Sequence, residues 1–207
     1  WNNQKKLIIK NINKKFKNKK LIAVRSSSRG EDNLNSSNAG KYLSLLNVPI
    51  INKKVIVAIN SVIKSYKKKK KNVDQVFIQE MVSNVSVSGV LFTKDVDTGL
   101  NYYTINYDDI TGKTDTVTSG HGEHSNRTLF IFKKFGKKIK SPRFKKLIDC
   151  VINLEKIINN NSIDIEFAIT KNLKPYLFQV RPITTVKKWK KVSVKEHEKY
   201  LLIAEKK

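Results

Sequence analysis

Residues 162–182 read SIDIEFAITKNLKPYLFQVRP. Two runs in this stretch, Ser162 to Thr170 and Lys174 to Val180, are rich in β-branched and aromatic residues, and the short segment Lys171-Asn172-Leu173 separates them. Such runs on both sides of a short break predict two strands joined by a turn. We therefore expect this part of the chain to fold as a β-hairpin.

The predicted hairpin carries four polar side chains that suit a metal and phosphates. Asp164 and Glu166 lie two residues apart, so they share a strand face, and they repel unless a cation lies between them. Mg²⁺ fits because it takes oxygen ligands and keeps waters for phosphate. Gln179 on the next strand offers a neutral carbonyl, and Arg181 shares its face, so the set predicts a metal–nucleotide triphosphate site. The alternative is an exposed hairpin with one cross-strand salt bridge.

A second arginine follows a β-branched run far away in the sequence. The run Leu21 to Val24 predicts a buried strand, and Arg25 comes directly after it. The guanidinium fork of arginine matches phosphate oxygens bidentately. Because the chain has only five arginines, placing Arg25 and Arg181 at the ends of predicted strands indicates two phosphate anchors.

The segment after Arg25 is rich in small and polar residues. Over residues 25–40 it contains Ser, Asn, Gly and Asp, with Ser37-Asn38-Ala39-Gly40 at its end. Small residues let backbone N–H groups approach phosphate oxygens. The segment lacks the Gly-Lys-Ser/Thr of a Walker A loop. Taken by itself, the segment is better described as an ordinary flexible loop than as a phosphate-binding loop.

The remaining patterns predict a mixed fold. Apolar residues at helical spacing predict helices, and β-branched and aromatic runs predict strands. The predicted helices cover residues 4–20, 55–66, 142–159 and 194–205. The further predicted strands cover residues 76–82, 85–93, 102–108, 114–118 and 128–133. Antiparallel strands with flanking helices indicate an α+β fold.

The net charge of +25 invites a nucleic-acid-binding interpretation. However, 37 of the 42 basic residues are lysine, in a composition rich in Asn and Ile that is typical of AT-rich codons. Nucleic-acid readers interleave arginine and aromatic residues with lysine, and that pattern is absent. A basic nucleic-acid-binding module is kept as the alternative, from a different functional class.

Other features of the sequence restrict the cellular location and the metal sites that we expect. No apolar stretch approaches the roughly 18 residues of a membrane span, and the polar start does not resemble a signal peptide. Cys150 is the only cysteine, which excludes an internal disulfide; its apolar neighbours predict burial, and a reducing cytoplasm is the expected location. His121 and His124 lack third and fourth ligands nearby, so a zinc site is not expected.

Four ordered motifs resemble the N-terminal ATP-binding domain of phosphoenolpyruvate synthases and pyruvate phosphate dikinases. The resemblance covers about residues 20–185. The motifs are Ala23 to Ser28 with Glu31-Asp32, Ser37 to Gly40 and Leu46 to Val48; Val76 to Val82 with Ser88 to Thr93 and Thr98-Gly99; Gly120 to Glu123; and Asp164 to Glu166 with Gln179 to Pro182.

This resemblance implies an ATP-grasp fold, in which two lobes clasp ATP. It implies that Arg25 and Arg181 bind phosphates and that Asp164, Glu166 and Gln179 hold or position Mg²⁺. The implied hinge beside adenine is Gln79, Glu80, Met81 and Val82, and the implied loop over the terminal phosphates is Ser37, Asn38, Ala39 and Gly40.

In the family, the phosphoryl group passes from ATP to a histidine on a separate swivelling domain and then to an acceptor, giving AMP and phosphate. The family's glycine-rich start, phosphate-binding lysine, phosphohistidine domain and acceptor domain are not recognised here. We therefore expect residues 1–185 to be a partial, incomplete two-lobe ATP-grasp domain, inactive alone. Residues 186–207 are expected to form a helical tail or linker toward the swivelling domain.

Within the family, two features are similar to bacterial L-glutamine kinases of capsule phosphoramidate biosynthesis. They are Asn38, where many members carry an aromatic residue, and the segment Asp115 to Gly120. The acceptor implied is L-glutamine. The alternatives within the family are a phosphoenolpyruvate synthase and a rifampin-type antibiotic phosphotransferase.

Overall fold

The computed structural model describes residues 1–27, 32–33, 36–37, 43–66, 74–114, 127–183 and 193–204. The chain divides into two compact units, Trp1–Met81 and Val82–Lys207.

The first unit is a three-stranded antiparallel sheet with two helices. Its sheet has the order β4-β1-β5, and β2 and β3 form a separate two-stranded pair. The elements are a short 3-10 helix Asn2–Gln4, α1 Lys5–Lys15, β1 Leu21–Ser27, β2 Asp32–Asn33, β3 Ser36–Ser37, β4 Ser44–Pro49, α2 Asn52–Ser65 and β5 Gln75–Glu80.

The core of the first unit joins the apolar faces of both helices to one face of the sheet. In α2, Val55, Ile59 and Val62 recur every three or four residues and are buried, as expected for an amphipathic helix. They cluster with residues from α1 and with Ile22 and Val24 of β1. Because alternate residues of β1 face the core, Arg25 belongs to the opposite face of the strand.

The second unit is a five-stranded antiparallel sheet with the order β10-β9-β6-β7-β8. Its elements are β6 Val85–Phe92, β7 Tyr102–Asp108, β8 Arg127–Phe132, a 3-10 helix Lys133–Lys138, α3 Pro142–Ile157, β9 Ile163–Thr170, β10 Pro175–Pro182 and α4 Val194–Ala204.

The helix α3 covers one face of this sheet. Phe144, Leu147 and Val151 of α3 cluster with alternate residues of the central strands, including Ile165 and Phe167 of β9. Because side chains alternate along a strand, the residues between them, which include Asp164 and Glu166, lie on the face away from α3. The hydrophobic core therefore fixes which face of the sheet is polar.

Two glycines meet specific backbone demands in the second unit. Gly89 of β6 passes so close to β7 that an added Cβ would lie 2.1 Å from the Asn106 carbonyl oxygen. Gly99 closes the turn before β7 with a φ of 72°, and its N–H donates to the Asp95 carbonyl. A left-handed φ of this kind favours glycine because a Cβ would be strained there.

The mixed architecture with antiparallel sheets confirms the α+β prediction. Arg25, however, does not end its strand. Residues 25–27 pair with Phe77, Val76 and Gln75 of β5, so backbone pairing extends β1 through polar residues. Most of the strand predicted over residues 114–118 lies outside the described residues.

The predicted burial of Cys150 is wrong, because the residue is exposed. The buried face of α3 is formed by residues 144, 147, 148 and 151, and position 150 falls beside this stripe. A run of apolar neighbours in sequence therefore did not place Cys150 on the buried face. Within the described residues, no helix combines the length and hydropathy needed to cross a membrane.

Candidate functional site

The hairpin of β9 and β10 places the four predicted polar residues in two cross-strand pairs. Gln179 lies opposite Glu166, and Arg181 lies opposite Asp164. The register depends on an irregularity between Leu177 and Gln179, where β10 contains one extra residue. A bulge of this kind shifts which partners the following residues meet.

Arg181 contacts both carboxylates. Its Nε donates to Asp164 Oδ1 at 3.1 Å, and its Nη2 lies 3.8 Å from Glu166 Oε1. The three side chains are only 11%, 18% and 16% exposed, respectively. Ion pairs shielded to this degree are less weakened by solvent than surface pairs, and loss of one partner leaves a poorly solvated charge.

The donor set of this cluster fits a hard divalent cation that is also held by phosphates. Asp164 and Glu166 supply two carboxylates, and Gln179 supplies an amide beside Glu166. Among the described residues, no group of three or more His, Cys, Asp or Glu side chains is placed to hold a metal. Mg²⁺ commonly takes one or two carboxylates and completes its shell with water and phosphate oxygens, so two carboxylates suffice.

The same face continues across the sheet into polar residues that the sequence motifs did not indicate. Val90 pairs with Glu166 on one side and with Asn106 on the other. The Thr128 hydroxyl of β8 donates to Asn106 Oδ1 at 2.8 Å. The sequence offered one signal for this position. Side chains alternate between the two faces of β7, and Asn106 follows the buried Ile105, so Asn106 belongs to the face away from the core.

In the first unit, the structure brings together a second set of predicted residues. Ala23 pairs with Gln79 and Arg25 pairs with Phe77, so Arg25 and Gln79 share one face of the β1–β5 ladder. Arg25 is half-buried. Glu80 has a different contact, since its carboxylate lies 2.6 Å from Lys19 Nζ.

The predicted hinge residues continue from the end of β5. Met81 N–H donates to the Leu21 carbonyl at 3.3 Å, and Val82 begins the second unit. The boundary between the two compact units thus falls inside the segment Gln79 to Val82.

Several predicted residues cannot be placed. Asn38, Ala39 and Gly40 lie outside the described residues, as does the segment Gly120 to Glu123. Ser37 is described only through its backbone, as the last residue of β3, where it pairs with Asp32.

Comparison with known proteins supports the relationship expected from the motifs. The family model for the pyruvate phosphate dikinase AMP/ATP-binding domain matches residues 3–117, which is more than half of the chain. The match includes Arg25 and the segment Gln79 to Val82, and it ends before β9. A search of curated proteins found no match. The chain belongs to the pyruvate phosphate dikinase AMP/ATP-binding domain family.

Proposed function

We propose that this chain is the ATP-binding portion of a multidomain, dikinase-like phosphotransferase with an ATP-grasp fold. The family supports ATP or AMP binding and a general transferase role. The observation that carries the proposal is the shielded cluster of Arg181, Asp164 and Glu166, with Gln179 opposite Glu166, on one sheet face. The two carboxylates suit the metal ion of a metal–triphosphate complex, and the guanidinium suits its phosphates.

Each residue has a separate role in this proposal. Asp164, Glu166 and Gln179 hold Mg²⁺, which supplies charge neutralisation at the phosphates when it is bound. Arg181, which is paired with Asp164 and Glu166, binds the phosphates together with Arg25. Catalysis then rests on positioning and on compensation of negative charge, because phosphoryl transfer asks for little covalent chemistry from the protein.

The adenine and the terminal phosphates are assigned to segments of the first unit. In this proposal Gln79 to Val82 contacts adenine. Ser37 to Gly40, of which residues 38–40 lie outside the described residues, binds the terminal phosphates. The phosphoryl group then passes to a histidine on a swivelling domain and on to an acceptor domain, with release of AMP and phosphate. The narrower proposal of L-glutamine as the acceptor rests on Asn38 and residues 115–120. The proposal of a cytoplasmic location rests on the single cysteine.

Calorimetric titration with Mg-ATP tests the site assignment. We expect Arg181→Ala to weaken binding by about 10- to 100-fold, because a charge-assisted hydrogen bond contributes about 1.5–3 kcal/mol. Arg181→Lys keeps the charge but loses the planar fork, so we expect an intermediate loss. Glu166→Gln should weaken the dependence of ATP binding on Mg²⁺.

Arg143→Ala is the matched control. Arg143 is 46% exposed and pairs with Asp109 at 2.7 Å, and Asp109 keeps Arg127 at 3.2 Å when Arg143 is removed. Equal Mg-ATP affinities for the Arg181→Ala and Arg143→Ala variants would refute the assignment. Where the chain is joined to its phosphohistidine and acceptor domains, the same variants should lower ATP-dependent AMP release in the same order.

A further inference from the structure

A basic groove lies between α1 and α2 on the helical side of the first unit. Its volume is about 390 Å³, within the range of about 300–1,000 Å³ for small-molecule sites. None of its lining residues belongs to the set proposed for ATP. The groove is lined by Lys5, Lys6, Ile9, Lys10, Asn13, Asn52 and Ile56.

The positive charge of the lysines in this groove is not balanced by acidic residues of α1 or α2. Neither α1 nor α2 contains a single acidic residue. Lys5 and Lys6 occupy the first turn of α1, where a cation opposes the helix dipole. Lys6 and Lys10 are also four residues apart, so they repel each other across one turn. Both effects destabilise the unliganded helix, and a bound anion would relieve both.

The walls of the groove are held by side-chain contacts. Asn13 Nδ2 donates to Asn52 Oδ1 at 2.9 Å and links the two helices. Trp1 Nε1 donates to Asn60 of α2 at 2.8 Å, and Lys5 Nζ lies 5.7 Å from the centroid of the Trp1 ring. Polar links between α1 and α2, and between the N-terminus and α2, therefore limit how far the groove can spread.

The floor of the groove is aliphatic. Ile9 is 6% exposed and packs in the core, and Ile56 is half-buried beside it. Among the described residues that line the groove, none is acidic and none carries an aromatic ring on which a base could stack. Nucleic-acid single strands usually use such rings, so a compact anion fits this groove better than a polynucleotide.

We propose that the α1–α2 groove binds an oligophosphate, an anion with two or more linked phosphates. Three ammonium groups spread over two helical turns match several negative groups in a row better than one carboxylate or one sulfate. Lysine binds phosphate as a point charge with three donors, and the two asparagines add amide donors at the far end. The site is additional to the proposed ATP site.

Methyl NMR on the isoleucine-labelled chain tests this site locally. We expect sodium tripolyphosphate, added in phosphate-free buffer with 0.15 M salt, to shift the Ile9 and Ile56 methyl signals in a saturable manner. The Lys6→Gln/Lys10→Gln variant should weaken this binding at least about tenfold. It should fold at least as stably as the parent, because it removes like-charge repulsion.

Lys17→Gln/Lys20→Gln is the matched control, since it removes the same charge from exposed positions of the same unit outside the groove. We expect less than about threefold weakening in this control. Equal weakening by both double variants, equally strong binding of sulfate, or no saturable shift at Ile9 and Ile56 would each overturn the proposal.

Titration with ATP in place of tripolyphosphate distinguishes the source of the phosphates. Equal shifts and affinities at Ile9 and Ile56 support recognition of the phosphate chain alone, and tighter binding of ATP supports a nucleotide-borne chain. Because these methyl groups report on the groove itself, the result does not depend on whether Arg181 binds ATP.

Discussion

At the residue scale, a largely buried polar triad lies beside α3. Tyr103 of β7 donates its hydroxyl to Glu155 Oε2 at 2.9 Å, and Lys133 pairs with the other carboxylate oxygen. Lys133 Nζ also lies 5.0 Å from the centroid of the Tyr103 ring and donates to the Asn161 carbonyl. The triad ties the sheet to the C-terminal half of α3 and to the turn before β9.

Within this triad, Tyr103 makes the free energy of unfolding decline at alkaline pH. Burial, together with the hydrogen bond to Glu155, raises the pKa of Tyr103, whereas burial lowers the pKa of Lys133. A raised folded-state pKa means that the stabilisation by Tyr103 is complete below about pH 10, the unfolded value. It is lost as the pH rises above that value.

We predict that Tyr103→Phe lowers the free energy of unfolding by about 1–3 kcal/mol near pH 8, because Glu155 loses a buried donor. The variant should also show a shallower decline in stability above about pH 10. Urea unfolding at both pH values measures the two effects. Tyr107→Phe on the same strand is the control, and an identical alkaline decline in both variants would contradict the prediction.

At the element scale, one extra residue in β10 determines which face presents the candidate site. Leu177 pairs with Phe167, and the next pair is Gln179 with Glu166, so Phe178 has no partner of its own. With a regular ladder, Gln179 and Arg181 would instead lie opposite Ile165 and Ile163, which face the core. The bulge therefore moves an amide and a guanidinium from the apolar face to the polar face.

We predict that deletion of Phe178 destabilises the protein much more than Phe178→Ala. Deletion directs Arg181 toward the core, where an unpaired charge costs several kcal/mol. Replacement with alanine removes only a half-buried ring and keeps the register. Thermal unfolding compares the two variants. Equal melting temperatures would show that the bulge does not determine which face of the sheet carries Gln179 and Arg181.

At the scale of the whole molecule, the charge of +25 bears on the alternative function. Proteins that neutralise many phosphates lose affinity steeply with salt, by about 10³–10⁵ between 50 and 200 mM for six to ten contacts. Only five of the 42 basic residues are arginine, the side chain that most often makes specific contacts with bases. We therefore interpret the charge as a general attraction for anions, including nucleotides.

We predict that duplex and single-stranded DNA bind this chain with dissociation constants no tighter than about 10⁻⁶ M near physiological salt, as expected for non-specific binding. Fluorescence anisotropy over a salt series measures this. Sub-micromolar binding that depends on sequence would instead favour the nucleic-acid-binding module over the ATP-binding proposal.

The sequence predicted the elements well where one periodicity dominated. The regular spacing of apolar residues in α2 and α3 predicted both helices, and β-branched runs predicted β6, β7, β9 and β10. It failed at Arg25, where backbone pairing with β5 continued the strand through polar residues. It also failed at Cys150, because apolar neighbours do not define which helix face is buried.

The sequence by itself determined the family, the α+β class and the grouping of Asp164 with Glu166, because these depend on local motifs and on strand alternation. Only the tertiary structure decided that Gln179 meets Glu166 and that Arg181 meets Asp164, since this register depends on a bulge that alternation does not reveal. The same holds for the lysine groove. Its residues come from two helices 39 positions apart at Asn13 and Asn52, which only packing brings into contact.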